Sequence, residues 1–261
     1  MGESRGCLDL PWMLTALTVS QWTLAVLAAF CIGLSKSGFA GLGMVTVLLM
    51  AEIMPAREST GTVLPLLICG DVFAVAVFRK HARWDYIARM LPPALVGILL
   101  GYWLMGWSIP DRAFRAVIGG IVLTLVALQY GRKLRPVLFE RVPHTWGFAW
   151  LMGIWSGITT MLANAAGPIM TLYFLAVNLP KLEFVGTAAT FFLIINLIKV
   201  PFSSHLGLIN GTSLMFNLLL VPAVVIGIAL GRVLIARTSQ RIFEHIVLIF
   251  AGAAAVRLIV G

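Results

Sequence analysis

Apolar residues along this chain gather into ten runs, near 22–34, 42–54, 62–78, 90–107, 113–130, 147–163, 168–178, 184–200, 213–231 and 242–260. The longer runs approach the ~20 residues that a helix rising 1.5 Å per residue needs to cross about 30 Å of hydrocarbon. The pattern predicts an all-α, polytopic membrane protein. One longer polar stretch, GRKLRPVLFERVPHTW (131–146), divides the runs into two sets of five.

The two sets resemble each other. Pro55, Glu58, Gly61 and Thr62 spell P-x-x-E-x-x-G-T, and Pro180, Glu183, Gly186 and Thr187 repeat it 125 positions later. Asp71 falls opposite Asn196 at the same offset. Pro92, Gly97 and Gly101 correspond to Pro222, Gly227 and Gly231 at an offset of 130, and Arg112 and Phe114 to Arg241 and Phe243 at 129. Ordered matches with so little drift mark a duplication, and internal repeats are a hallmark of secondary transporters. The expected organisation is an N-terminal segment (1–21), a first transmembrane repeat (22–131), a cytoplasmic linker (132–146) and a second transmembrane repeat (147–261).

The opening runs of the first set, 22–34 and 42–54, are 13 residues each, about 20 Å of helix and too short to cross alone. Joined, they would reach about 50 Å, too long for a single crossing. A re-entrant hairpin with its polar tip near mid-depth satisfies both lengths and leaves three crossings per half. An odd number inverts the second half, so the expected fold is two inverted repeats, each a broken or re-entrant helix pair plus three transmembrane helices. The cations agree. One side receives Arg79, Lys80, Arg83, Arg89, Arg132, Lys133, Arg135, Arg141, Lys181, Arg232, Arg237 and Arg241, and the other Arg5, Arg57, Arg112, Arg115 and Arg257, which is 12 against 5. Positive charge favours the cytoplasm, so both termini are expected in the periplasm.

Composition sharpens this picture. The 261 residues are 60% hydrophobic and 11% charged, with a mean hydropathy of +0.99; soluble domains carry about 25% charge. A net charge of +9 raises the question of a nucleic-acid partner. The basic residues, however, cluster in short loops between apolar runs, as topology signals do, so the lipid bilayer is the expected partner and nucleic acid is not. Cys7, Cys31 and Cys69 show no paired spacing and suit small apolar fillers. His81, His144, His205 and His245 are scattered, so neither a metal nor another cofactor is expected. With Glu3 and Asp9 in its head, the N-terminus makes a poor signal peptide.

Candidate chemistry lies in two interruptions of the apolar sequence. In GLSKSGFAGLG (33–43) Ser35, Lys36 and Ser37 stand among Gly38, Gly41 and Gly43; in TTMLANAAGP (159–168) Asn164 and Gly167 occupy the break. Irregular backbone at membrane depth persists only against protein or a water-filled cavity. Helices beginning near Gly43 and Pro168 would aim positively polarised N-termini into that cavity, which suits an anion. Lys36 either adds a full positive charge to such a site or forms a structural ion pair with Asp71. Asp71 is correspondingly a proton carrier or the partner of Lys36, and Asn196 either faces the same interface or bonds between helices. Lys199, three residues beyond Asn196 and just before Pro201, is expected to snorkel to the interface. Thr62 and Thr187 either pack tightly or line the cavity. Gly97-x-x-x-Gly101 and Gly227-x-x-x-Gly231 are small-residue faces for close helix packing. Trp84 and Trp146, at run ends, suit interfacial anchors.

The segments TTMLANAAGPIMTLYFL and LPKLEFVGTAATFFLIINLIKVPF resemble the second half of the sulfite exporter TauE/SafE family, and GLSKSGFAGLGMVTVLLM through GTVLPLL echoes its first half. The resemblance falls on Gly38, Gly41, Gly43, Asn164, Gly167, Thr62, Thr187, Asn196 and Lys199. The chain departs from the family's glycine-dense version of the first break, where Phe39, Leu42 and Met44 intrude, and has LANAAGP in the second. The resemblance implies a multi-pass inner-membrane transporter of sulfite, thiosulfate, sulfoacetate or related sulfur-containing anions. Export is the favoured direction, with a proton-coupled importer and an anion channel as alternatives and the oligomeric state open, a homodimer being one option. An intramembrane enzyme fits poorly: IWSG and SKSG lack the leading glycine of G-x-S-G, and no H-E-x-x-H occurs.

Overall fold

The computed structural model describes residues 17–37, 42–107, 109–134, 146–177, 179–237 and 240–260. Among these the chain is helical, with no strand: α1 (Val19–Lys36), α2 (Leu42–Ile53), α3 (Ala56–Thr62), α4 (Leu64–Phe78), α5 (Trp84–Gly106), α6 (Asp111–Leu134), α7 (Trp146–Ala163), α8 (Gly167–Ala176), α9 (Lys181–His205), α10 (Gly211–Arg237) and α11 (Gln240–Val260). A 3-10 turn, Arg79–His81, extends α4. Among the described residues, six stretches are long and apolar enough to cross a bilayer: Val19–Lys36, Ala56–His81, Trp84–Gly106, Asp111–Gly131, Leu182–His205 and Gly211–Gly231. The protein is therefore a multi-pass membrane protein.

The first arm of the opening hairpin corrects one expectation. Counting only apolar residues makes it too short to cross, but α1 is 18 residues, about 27 Å, because polar residues extend it at both ends. Thr18 caps its start in a capping box with Gln21, and Ser35 and Lys36 complete its last turn. The chain does double back: Thr46 Oγ1 donates to the Ala28 carbonyl, and Met50 shares a core cluster with Ala25 and Ala28, so α1 and α2 run antiparallel. At 12 residues α2 remains short. Helix α6 runs into the polar stretch as far as Leu134; residues 135–145 lie outside the described residues.

Close backbone approach determines how the helices pair. A Cβ on Gly33 of α1 would sit 2.1 Å from the Val224 carbonyl oxygen of α10, and one on Gly227 would sit 2.4 Å from the Phe30 carbonyl. On the other side of the molecule, Gly97 of α5 abuts the Ile154 carbonyl and Gly157 of α7 the Ala94 carbonyl, each at 2.1 Å from a built Cβ. The two small-residue faces thus do what their spacing suggests. Their partners differ: Gly157 stands in a repeat of its own, Gly153-x-x-x-Gly157, whereas Gly33 has no glycine four residues away. Contacts along α1 and α10 rise together, Trp22 with Phe216, Gly33 with Gly227 and Ser37 with Gly231, so these helices are parallel neighbours. Helices α4 and α9 run antiparallel, because Asp71 meets Asn196 while the Phe78 carbonyl, further along α4, abuts Gly186, earlier on α9.

Pro55 and Pro180 cap the starts of α3 and α9, and Glu58 and Glu183 lie in the first turns, where a helix favours negative charge. The glycine of each motif admits a neighbour: a Cβ on Gly61 would meet Leu208 Cβ at 2.2 Å, and one on Gly186 the Phe78 carbonyl at 2.6 Å. The halves differ at one point. Pro65 starts α4 and separates it from α3, whereas Thr190, 125 positions later, lies inside the unbroken α9. Two asparagines reach the carbonyls at this joint, Asn164 Nδ2 donating to Thr60 at 2.8 Å and Asn217 Nδ2 to Thr62 at 2.7 Å.

Candidate functional site

The two interruptions border one space. A cavity of about 190 Å³ lies between α1, α2, α4, α7, α8 and α9, walled by Ser35, Lys36 and Gly43 at the first break and Asn164 and Gly167 at the second. Asp71 and Asn196 complete its polar wall. It exceeds the ~30 Å³ that one water occupies in the liquid, and is smaller than the ~300–1,000 Å³ of pockets for drug-sized ligands, so it suits a small solute. Gly43 and Gly167 sit where an added Cβ would meet nothing within 4 Å, leaving room beside both helix starts. Gly38 and Gly41 lie outside the described residues.

Lys36 is the last residue of α1. Its stem passes Gly70, where a Cβ would come within 3.0 Å of Lys36 Cγ, and its ammonium reaches Asp71 Oδ1 at 2.5 Å. The same ammonium stands 5.2 Å over the Phe192 ring. Asp71 is fully buried, and its Oδ2 accepts from Asn196 Nδ2 at 2.7 Å. The ion pair left open by the sequence is formed, and both partners also line the cavity.

Lys199 is not at an interface. It is 1% exposed, and its ammonium donates to the Thr160 carbonyl at 2.6 Å, to Thr160 Oγ1 at 3.2 Å and to Asn164 Oδ1 at 2.5 Å. The expectation fails because α9 does not stop at Pro201 but runs on to His205, carrying Lys199 inward. Its acceptors lie at the end of α7, Thr160 in the last turn and Asn164 just beyond it, and the Thr160 carbonyl also accepts from the Asn164 backbone N–H at 3.0 Å. Asn164 follows that turn with φ +50°, the left-handed conformation that asparagine tolerates at a helix end. Its side chain accepts from Lys199 and donates to the Thr60 carbonyl of the first half. One residue therefore joins the cavity, the second cation and the α3–α4 joint.

Three candidates stand away from the cavity. Ser37 Oγ donates to the Ile228 carbonyl at 3.0 Å, bracing α1 against α10. Thr62 offers its carbonyl to Asn217, and Thr187 Oγ1 accepts from the Arg83 backbone N–H at 2.9 Å, beside an Arg83–Glu183 ion pair. Ser35 lines the cavity but donates its hydroxyl to the Ile32 carbonyl. Thr160, Phe184 and Phe192 join the wall without having been marked by any sequence pattern.

Among the described residues, Asp71 and Lys199 are the fully buried charged side chains, and Lys36 adds a second ammonium at the cavity wall. Two lysines and one carboxylate therefore lie in or just behind the cavity wall, and the carboxylate is paired with Lys36. Uncompensated charge in a protein interior costs several kcal/mol, and a small anion in the cavity would offset it. The helical architecture defines an integral membrane protein, with two lysines set against one carboxylate around a small cavity. Residues 25–258 match the sulfite exporter TauE/SafE family, and the chain belongs to that family. Membership implies a membrane transporter of sulfite or a related anion. Neither the curated proteins nor the solved structures contain a significant match to the chain.

Proposed function

We propose that the protein is a secondary transporter that exports small sulfur oxyanions or organosulfonates by alternating access around this cavity. The observation that carries the reading is a space of small-solute size with two lysines, Lys36 in its wall and the buried Lys199 behind Asn164, against one carboxylate, Asp71. Ser35, Lys36, Gly43, Asn164, Gly167 and Asn196 form the binding wall, with Thr160 and Lys199 behind Asn164. Two repeats, 22–131 and 147–261, joined by a cytoplasmic linker at 132–146, provide the moving parts. In support of their inversion, α4 and α9, which match at an offset of 125, run in opposite directions. A membrane negative inside drives each exported negative charge with about 2.3 kcal/mol per 100 mV, so efflux needs no coupling ion.

Asp71 favours a second reading, proton-coupled uptake, because a carboxylate in the cavity wall can exchange a proton as the anion arrives. Proteoliposomes separate the readings. A carrier shows saturable counterflow of labelled sulfite or sulfonate that is accelerated by a potential negative on the side of origin. Linear, non-saturating conductance would instead make it a channel, and flux requiring a proton gradient would make it an importer. Absence of any flux or binding across a panel of sulfur anions would overturn the assignment.

A further inference from the structure

Resting on that reading, we infer that the site selects a monoanion with an apolar tail, an alkanesulfonate of a few carbons, over bare sulfite, and that Phe184, Val185, Ala188 and Phe192 determine this selection. These residues and Asn196 lie on one face of α9, recurring at three- and four-residue steps. From Val185 to Asn196 the wall extends about 16 Å along the helix axis, apolar for about two turns before the amide. On α4, Asp71 stands beside Asn196, with Ala74 one turn away towards Phe192 and Leu67 one turn away on the other side. Met170 of α8 adds to the apolar part.

The hydrogen-bond donors are equally one-sided. The Ser35 and Thr171 hydroxyls, although in the wall, are turned to the carbonyls of Ile32 and Gly167 in their own helices. Asn196 is engaged with Asp71. What remains for a ligand is the Lys36 ammonium beyond its bond to Asp71, the second N–H of Asn164 and of Asn196, and the Thr160 hydroxyl, together at the polar end. An inorganic oxyanion presents oxygens on every side, and each one buried without a donor is destabilising. A sulfonate gathers its three oxygens at one end and offers carbon to the rest. The single surplus positive charge matches one sulfonate head, and a second anionic group at the far end would face Phe184 and Val185.

The test is a ladder of linear sulfonates, methane- to butane-, with sulfite and ethane-1,2-disulfonate, measured by calorimetry on the full-length protein in lipid nanodiscs, with empty nanodiscs as the partition blank. Affinity should rise about fourfold per methylene, and ethane-1,2-disulfonate should bind more weakly than ethanesulfonate. Ala188→Leu, which fills the apolar part, should weaken butanesulfonate at least tenfold while changing methanesulfonate less than threefold. A flat ladder, or sulfite binding as tightly as butanesulfonate, overturns the inference and leaves the transporter assignment standing. Binding of none of these anions removes the assignment and the inference together. Should Ala188→Leu fail to fold, the wild-type ladder decides alone.

Discussion

Replacing Lys199 by methionine isolates the surplus charge. The substitution keeps an unbranched side chain inside α9 and removes an ammonium that has hydrogen bonds to Thr160 and Asn164 but no carboxylate of its own. Two effects on stability oppose each other. Asn164 Oδ1 loses its donor, at about 1–3 kcal/mol, while the Thr160 carbonyl keeps the Asn164 backbone N–H and a buried charge that itself costs several kcal/mol disappears. The melting temperature should therefore shift little. Anion affinity should not escape. A ligand bonded to Asn164 would lie ~6 Å from the Lys199 ammonium, and at an effective dielectric near 20 the attraction is about 3 kcal/mol, roughly a hundredfold in Kd. Equilibrium binding of a labelled sulfonate in nanodiscs reads this directly, with Lys199→Arg expected to retain most of the affinity. A Kd within threefold of wild type in an intact Lys199→Met protein would refute the charge-surplus reading.

The Lys36–Asp71 pair should behave differently. Lys36→Met alone strands a fully buried carboxylate and should lower stability by about 3–5 kcal/mol in reversible unfolding, as well as abolishing flux, whereas Lys36→Met with Asp71→Asn should recover most of the stability without the flux. Full transport by Lys36→Met would remove it from the site. Gly97→Val should prevent α5 from seating on α7, because its Cβ would fall 2.1 Å from the Ile154 carbonyl, and yield of folded protein should collapse; Gly43→Ala, which meets nothing within 4 Å, should fold normally. Asp71→Asn should flatten the pH dependence of transport if the carboxylate carries a proton, and an unchanged profile excludes that role. A reporter fused after Gly261 should be active in the periplasm, and a cytoplasmic signal would contradict the proposed topology.

Residues whose burden is visible in type alone were legible in the sequence. Lys36, Asp71 and Asn164 stand out because charge and amide are costly in apolar surroundings, and the structure places all three at one cavity. The repeated proline, glutamate and glycine positions mark two helix starts and two close contacts. The sequence conceals the position of Lys199 because Pro201 looks like a helix end, yet a proline can lie within a membrane helix when neighbours satisfy the freed carbonyl. Thr62 and Thr187 were ambiguous because their backbone and hydroxyl partners, Asn217 and Arg83, come from distant positions that no local pattern relates to them. The length of α1 was underestimated because its ends are polar, and a helix is bounded by its caps rather than by its grease.

The parallel seating of α1 on α10 has a consequence for biogenesis. Gly33 fits against Gly227, 194 residues later, so the groove on α1 has no mate while most of the chain is still being made. At about 5–20 residues per second, that interval lasts about 10–40 s. Throughout it, α1 must wait in the bilayer with lipid or an insertion factor against its glycine, until α10 emerges to cover it.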